Sequence, residues 1–172
     1  DGLGGSIAVN AGNLSISGPG SGVFSTASRT GNAGLITVAA PTVGLVNAAR
    51  IDSSTTGAGL GGTVSVDATG GALSVAGGAG LFSTTTGTGA AGDIQVKAGT
   101  LTLGTGARLD SSTSAGGRGG SIEVTAGSTS GSGPGAGLFS TATSTGDAGQ
   151  ITVSGGNVSL ANQAQISASA SA

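Results

Sequence analysis

An alternating apolar motif that begins as Ile7-x-Val9 returns as Ile36-x-Val38, Val64-x-Val66, Ile94-x-Val96, Ile122-x-Val124 and Ile151-x-Val153, at spacings of 29, 28, 30, 28 and 29 residues. Alternation with period two specifies strands, and its return at this interval specifies a solenoid, because one repeat cannot bury its own apolar face and has to stack on the next. A second short strand follows in five of the six periods, as Leu14-x-Ile16, Val43-x-Leu45, Leu73-x-Val75, Leu101-x-Leu103 and Val158-x-Leu160. A third begins at Val23, Ile51, Leu81, Leu109, Leu138 or Ile166. It opens a longer phrase of two alternating kinds: Val23–Val38, Leu81–Val96 and Leu138–Val153 carry Phe after the first apolar residue, whereas Arg50–Val66 and Arg108–Val124 carry Asp after theirs.

Helix is disfavoured, since 38 Gly and many β-branched residues oppose it and no apolar stripe has helical spacing. The expected fold is therefore all-β: a right-handed parallel β-helix, or β-solenoid, of about six coils of 28–30 residues with three short strands per coil. Coils begin near residues 4, 33, 61, 91, 119 and 148, and residues 1–172 form a single solenoid segment, read as an excerpt or repeating unit of a longer fibre. A net charge of −2 sets little repulsion against burial, which separates this Gly-rich chain from the disordered class. With no Cys, stability has to come from backbone pairing and stacked side chains. No apolar run is long enough to span a bilayer, and the absence of a basic patch argues against nucleic acid and anionic membranes.

Two coils depart from the pattern. Coil five has Thr129 and Gly131 where the second strand's apolar pair belongs, which predicts a loose or bulged strand there. Coil three carries a two-residue excess around Thr69-Gly70-Gly71, which predicts a protruding corner.

The recurring phrase [GA]-G-x-I-x-V-x-A, then L-x-[LIV], then A-R-[IL]-D-S-S-T or G-[VL]-F-S-T, resembles the β-helical repeat region of filamentous-haemagglutinin-like exoproteins of two-partner secretion systems, along the whole chain. The resemblance implies secreted, bacterial, extracellular or cell-surface filaments and adhesins, with host-surface or matrix glycans as partners. The family's amino-terminal secretion domain is absent from this sequence, so these residues do not themselves support that export route.

Residues able to carry chemistry are few. The inward position after the third strand's apolar residue reads Ser25, Ser53, Ser83, Ser111, Ser140 and Ala168, but a nucleophilic Ser needs a base and the chain has no His. These are read as a packed ladder, and the protein as no enzyme. No metal site or cofactor is expected: Asp67, Asp93, Glu123 and Asp147 are scattered on coil corners, and Asp52 and Asp110 stand two coils, about 9–10 Å, apart with Phe82 between them. The outward positions of the third strand form two hydroxyl files, Thr26/Ser28, Ser54/Thr56, Thr84/Thr86, Ser112/Ser114, Thr141/Thr143 and Ser169/Ser171. An ice-binding face is the alternative function they suggest; a carbohydrate-active β-helix is less favoured.

Beside them an outward row alternates Phe24, Asp52, Phe82, Asp110, Phe139, Ser167, and one step earlier Gly22, Arg50, Gly80, Arg108, Gly137, Gln165. Arg50 and Arg108 are placed to lean over the Phe of a neighbouring coil. The stripe is read either as a cover for the aromatics or as a lateral contact between filaments, formed by Phe24, Phe82, Phe139, Arg50 and Arg108.

Setting a second copy after Ala172 lays Gly2-Leu3-Gly4-Gly5 on the register of Gly59-Leu60-Gly61-Gly62, ten steps after Ile166 as Gly61 is ten steps after Ile51. The join restores the two-coil alternation and adds a sixth spacing of 28, bringing the total to the chain length of 172. The expected partner is therefore the chain itself, through Asp1, Gly2, Leu3, Gly4 and Gly5 at one end and Ile166, Ala168 and Ala170 at the other, giving a structural or adhesive fibre with lateral bundling as a second mode.

Overall fold

A computed structural model describes residues 2–171; Asp1, one of the expected stacking residues, lies outside that range. Fourteen strands and no helix are found among the described residues. The first coil is β1 (Ile7–Asn10), β2 (Asn13–Ser17) and β3 (Gly22–Phe24), and the second is β4 (Leu35–Ala39), β5 (Thr42–Val46) and β6 (Arg50–Asp52). In later coils the first two strands run together, as β7 (Thr63–Val75), β9 (Ile94–Leu103), β11 (Ile122–Ser132) and β13 (Ile151–Ala161), each followed by a third-strand segment: β8 (Gly80–Phe82), β10 (Arg108–Asp110), β12 (Gly137–Ala142) and β14 (Gln165–Ala170).

Every pairing is parallel, giving an eight-stranded sheet and a six-stranded sheet that share the coils of one β-solenoid of six turns. Three separate strands per coil thus become two ladders from coil three onward. In coils four and five the corner allows it: Ala98 pairs with Ala126 and Thr100 with Ser128 across single opposed glycines, so the strand bends without losing register. The file Ile7, Ile36, Val64, Ile94, Ile122, Ile151 is continuous through all six coils, as the spacing predicts.

Burial follows the alternation. Ile36, Val38, Val64, Val66, Ile94, Val96, Ile122 and Val124 are all buried and stack along the axis. Each contributes about 1.5–3 kcal/mol by leaving water, which supplies the driving force that a Gly-rich chain cannot draw from propensity. Two glycine files let neighbouring coils approach. In the file Gly5, Gly34, Gly62, Gly92, Gly120, Gly149, a Cβ on Gly62 would stand 1.9 Å from the Gly34 carbonyl oxygen. The file Gly2, Gly31, Gly59, Gly89, Gly117, Gly146 is as tight, and it puts Gly2 in line with Gly59 as the expected end register requires.

The excess in coil three does protrude: Ala68 pairs with Ala98 and Ala72 with Thr100, leaving three residues opposite one. The Asp67 carboxylate pins this corner, accepting from the Thr69 amide at 2.9 Å and the Thr69 hydroxyl at 2.5 Å. The expected looseness of coil five is overturned. Its strand β11 is unbroken and paired in register on both sides, with Thr129 buried. The coil is repaired from its neighbour: a Cβ on Gly131 would come within 3.0 Å of the Leu160 side chain and 3.2 Å of Ala164, so the glycine makes room for coil six to close in.

The two terminal coils bare the core. Val158, Leu160 and Ile166 are 50%, 41% and 39% exposed, and Ile7, Val9, Leu14 and Val23 are only partly buried, whereas Leu3, 75% exposed, stands at the outward position that Leu60 holds in coil two at 49%. Among the described residues no helix is long and apolar enough to cross a membrane.

Candidate functional site

The inward serines do more than fill a corner. Ser25, Ser53, Ser83, Ser111 and Ser140 are buried, and each donates its hydroxyl to the carbonyl of the glycine that opens its own coil: Gly5, Gly34, Gly62, Gly92 and Gly120. The bonds from Ser25, Ser53 and Ser140 measure 2.5, 2.5 and 2.7 Å. In return Gly34 and Gly149 donate their amides to the Ser25 and Ser140 hydroxyls of the preceding coil. These hydroxyls are occupied in closing each coil. The same alternation carries one step further inward to Thr55, Thr85 and Thr113, which are buried and bridged between coils. That file was missed in the sequence because a hydroxyl-rich strand hides which of its hydroxyls point in; counting on by two from Ile51 identifies Thr55.

On the outer face of the same strands the Arg–Phe stripe forms as the alternation predicts. The Arg50 guanidinium stands 4.4 Å from the Phe82 ring centre, and that of Arg108 stands 4.1 Å from Phe139. Each Phe folds back over the glycine two residues before it: a Cβ on Gly80 would lie 2.7 Å from the Phe82 ring, so a side chain there would evict it. Arg108 binds Asp110 Oδ2 through Nε at 3.1 Å and Nη2 at 2.7 Å, while Arg50 reaches Asp52 more loosely, at 3.7 Å. Both arginines are about half exposed, so each ion pair contributes only about 0.5–1 kcal/mol. Phe82 is covered and buried, but Phe24, with no Arg on its open side, is 42% exposed.

Each Asp keeps one buried oxygen, Oδ1, without a hydrogen-bond partner. Burial pushes the Asp52 carboxyl above its ordinary value of 3.8, against the opposing pull of Ser54 and Arg50. Asp67 shifts the other way, its charge favoured by the Thr69 hydroxyl and amide.

The two hydroxyl files differ in what they offer a ligand. The nearer one is engaged within the solenoid, with Ser54 and Ser112 accepting the amides of Thr84 and Thr141 at 2.9 and 3.0 Å. The farther one, including Thr56, Thr86, Ser114 and Thr143, is exposed. Of the remaining acidic residues, Glu123 stands outward as the second residue of β11 rather than on a corner, and Asp93 accepts the Ser121 amide at 3.1 Å. No three acidic, His or Cys side chains converge as metal ligands among the described residues.

The expected end-contact residues lie on the two terminal coils. Gly4 and Gly5 belong to the opening corner of coil one, where Gly4 donates to Asn32 at 2.8 Å and Gly5 accepts from Ser25. Ile166, Ala168 and Ala170 pair with Leu138, Ser140 and Ala142 on one side, and no strand pairs with them on the other among the described residues. No family model, no curated protein and no solved structure matches this chain.

Proposed function

We propose that the segment is a length of non-enzymatic structural or adhesive fibre, extracellular or on a bacterial surface, in which identical units continue one solenoid end to end. The observation that carries this reading is the sameness of the coils: the apolar file from Ile7 to Ile151 and the two glycine files run unbroken through all six turns, so every coil presents the face on which another of the same cross-section stacks. Continuing the register of β14 on β12 by one coil brings Ile166 to Val23 of a second copy, Ala168 to its Ser25 and Ala170 to its Ala27. Backbone pairing supplies the affinity and the apolar files supply the register.

The adhesive and extracellular parts of the proposal rest on the resemblance of the repeat to filamentous-haemagglutinin-like exoproteins. Occupation of the buried serines by glycine carbonyls supports a role without catalysis. Purified protein is expected to turn over no glycan and to show no thermal hysteresis.

The end-to-end contact is tested with the double variant Phe24→Cys/Ser167→Cys. The chain has no Cys of its own, and the two positions sit at opposite ends of one molecule. In the proposed joint their Cα atoms come to about 4.8 Å, within the range that a disulfide bridges. Oxidation should give a ladder of linear multimers on a denaturing gel. Monomers alone, or dimers that never extend, overturn the reading.

A further inference from the structure

The first strands of the coils carry two neighbouring outward rows, and amide and carboxylate side chains enter these rows only in coils four to six. Coils one to three present Ser6 and Ala8, Leu35 and Thr37, and Thr63 and Ser65. Coils four to six present Asp93 and Gln95, Ser121 and Glu123, and Gln150 and Thr152, stacked in register. These six side chains line a shallow groove across the outer face of β9, β11 and β13. Ala90, Gly119 and Ala148 at the adjoining corner are too small to close it, so it runs on to Arg118. We infer that this groove binds an oligosaccharide bearing free amines. The inference names a ligand class for the adhesive part of the reading above, and it is tested on unjoined protein so that its outcome is separate from that of end-to-end joining.

Charge and hydrogen bonding together select the ligand. Arg118 is paired with Asp147 at 3.7 Å and Lys97 lies beside Asp67 in the register of β9 on β7, whereas Asp93 and Glu123 take part in no ion pair among the described residues. These two positions, one coil and two residues apart, bring their carboxylates to one groove at a Cα separation of about 7–8 Å. A sulfated or carboxylated glycan is repelled there, and an ammonium group is attracted. Asp93 holds the Ser121 amide with Oδ1 and keeps its other oxygen for a ligand. Gln95, Gln150 and Thr152 each offer a donor and an acceptor, which suits the hydroxyls of a sugar ring. A peptide strand fits poorly, because both edges of β9 and β11 are taken by neighbouring coils and the apolar residues of the groove, Ile94 and Ile122, are buried beneath it.

The test titrates dilute protein with a β-1,4-linked glucosamine hexamer, in mildly acidic buffer of low salt that keeps the sugar amines protonated, and follows amide chemical shifts and heat. Binding should have a Kd of about 1 mM for one exposed groove, move the amides of Gln95, Glu123 and Gln150, leave those of Thr37 and Ser65 in place, and fade with added salt. Asp93→Asn/Glu123→Gln keeps the shape and the Ser121 contact and should weaken binding about tenfold, the loss of two exposed charge pairs. The fully acetylated hexamer should lose a similar factor, and a heparin hexamer should not bind. Gln95→Ala/Gln150→Ala leaves both carboxylates and should also weaken binding, which charge attraction alone does not predict. All four replaced side chains are exposed, so the fold is kept. The inference is overturned if the glucosamine hexamer moves none of these amides at about 10 mM, if either variant binds it unchanged, or if hexalysine binds as tightly, which would make the groove a site for any cation.

Discussion

Asp52 stands in file between Phe24 and Phe82 with one carboxylate oxygen buried and unpaired, and its pKa lies above the ordinary 3.8 because burial outweighs Ser54 and Arg50. The folded state therefore holds the proton more tightly than the unfolded chain. The stability this group contributes is fully present below 3.8 and is lost as pH rises through the raised folded value. Replacing Asp52 by Asn removes that dependence, so the stability of the variant minus that of the natural chain should be constant below 3.8 and should rise with pH above it. A difference that stays flat or falls across that window, measured by thermal melts, contradicts the assignment. Asp67 has the opposite sign and cancels in the comparison, since it is present in both chains. Glycine gives the second residue-scale prediction. A Cβ at Gly62 would stand 1.9 Å from the Gly34 oxygen and 2.1 Å from Ser53 Oγ, whereas one at Gly12 meets nothing within 4 Å. Chemical denaturation should find Gly62→Ala destabilised by about 3 kcal/mol or more and Gly12→Ala nearly neutral.

Among the elements, what was legible in the sequence is what one coil specifies alone. The inward files through Ile36, Ile94 and Ile122 follow from alternation, because slipping by one residue would turn every apolar side chain to solvent. One feature of neighbouring coils was legible as well: the outward rows alternate Gly–Phe with Arg–Asp from coil to coil, which sets each arginine beside a Phe. What escaped is how adjacent coils adjust their packing to each other. The second strand of coil five lacks an apolar pair of its own, yet Leu160 and Ala164 of the next coil close over Gly131, and Thr129 is buried. The in-register merging of first and second strands in coils four and five likewise depends on paired single-residue corners in adjacent coils. The consequence for dynamics is specific. In dilute, unjoined protein amide exchange should be slow along Thr129–Gly131, comparable with Leu101–Leu103, and faster along Val158–Leu160, whose strand is paired on one side only among the described residues. Exchange at Thr129–Gly131 as fast as at Val158–Leu160 would show that the coil-six repair does not persist in solution.

At the scale of the whole molecule the solenoid has one translational repeat, the coil, and one chemical repeat, the pair of coils that brings Arg–Asp onto Gly–Phe. Six coils at about 4.8 Å advance the axis by roughly 29 Å. If units of 15.5 kDa follow one another without gap or overlap, the fibre has a linear mass of about 5 kDa per nm, whatever its length. That quantity separates the two contacts the surface offers. End-to-end joining lengthens the rod and leaves mass per length unchanged. Lateral pairing through Phe24 and the half-exposed Arg50 and Arg108 doubles it to about 10 kDa per nm, and a fibre in which copies overlap falls between. Unstained dark-field micrographs of the purified protein measure it directly. The natural chain is expected at the single value, with filament lengths in multiples of roughly 29 Å, because Phe24, 42% exposed, would be taken up by the next copy at the proposed joint. Compact particles without axial growth refute the fibre. A doubled value that returns to the single one in Phe24→Ala transfers that ring from the joint to the lateral contact.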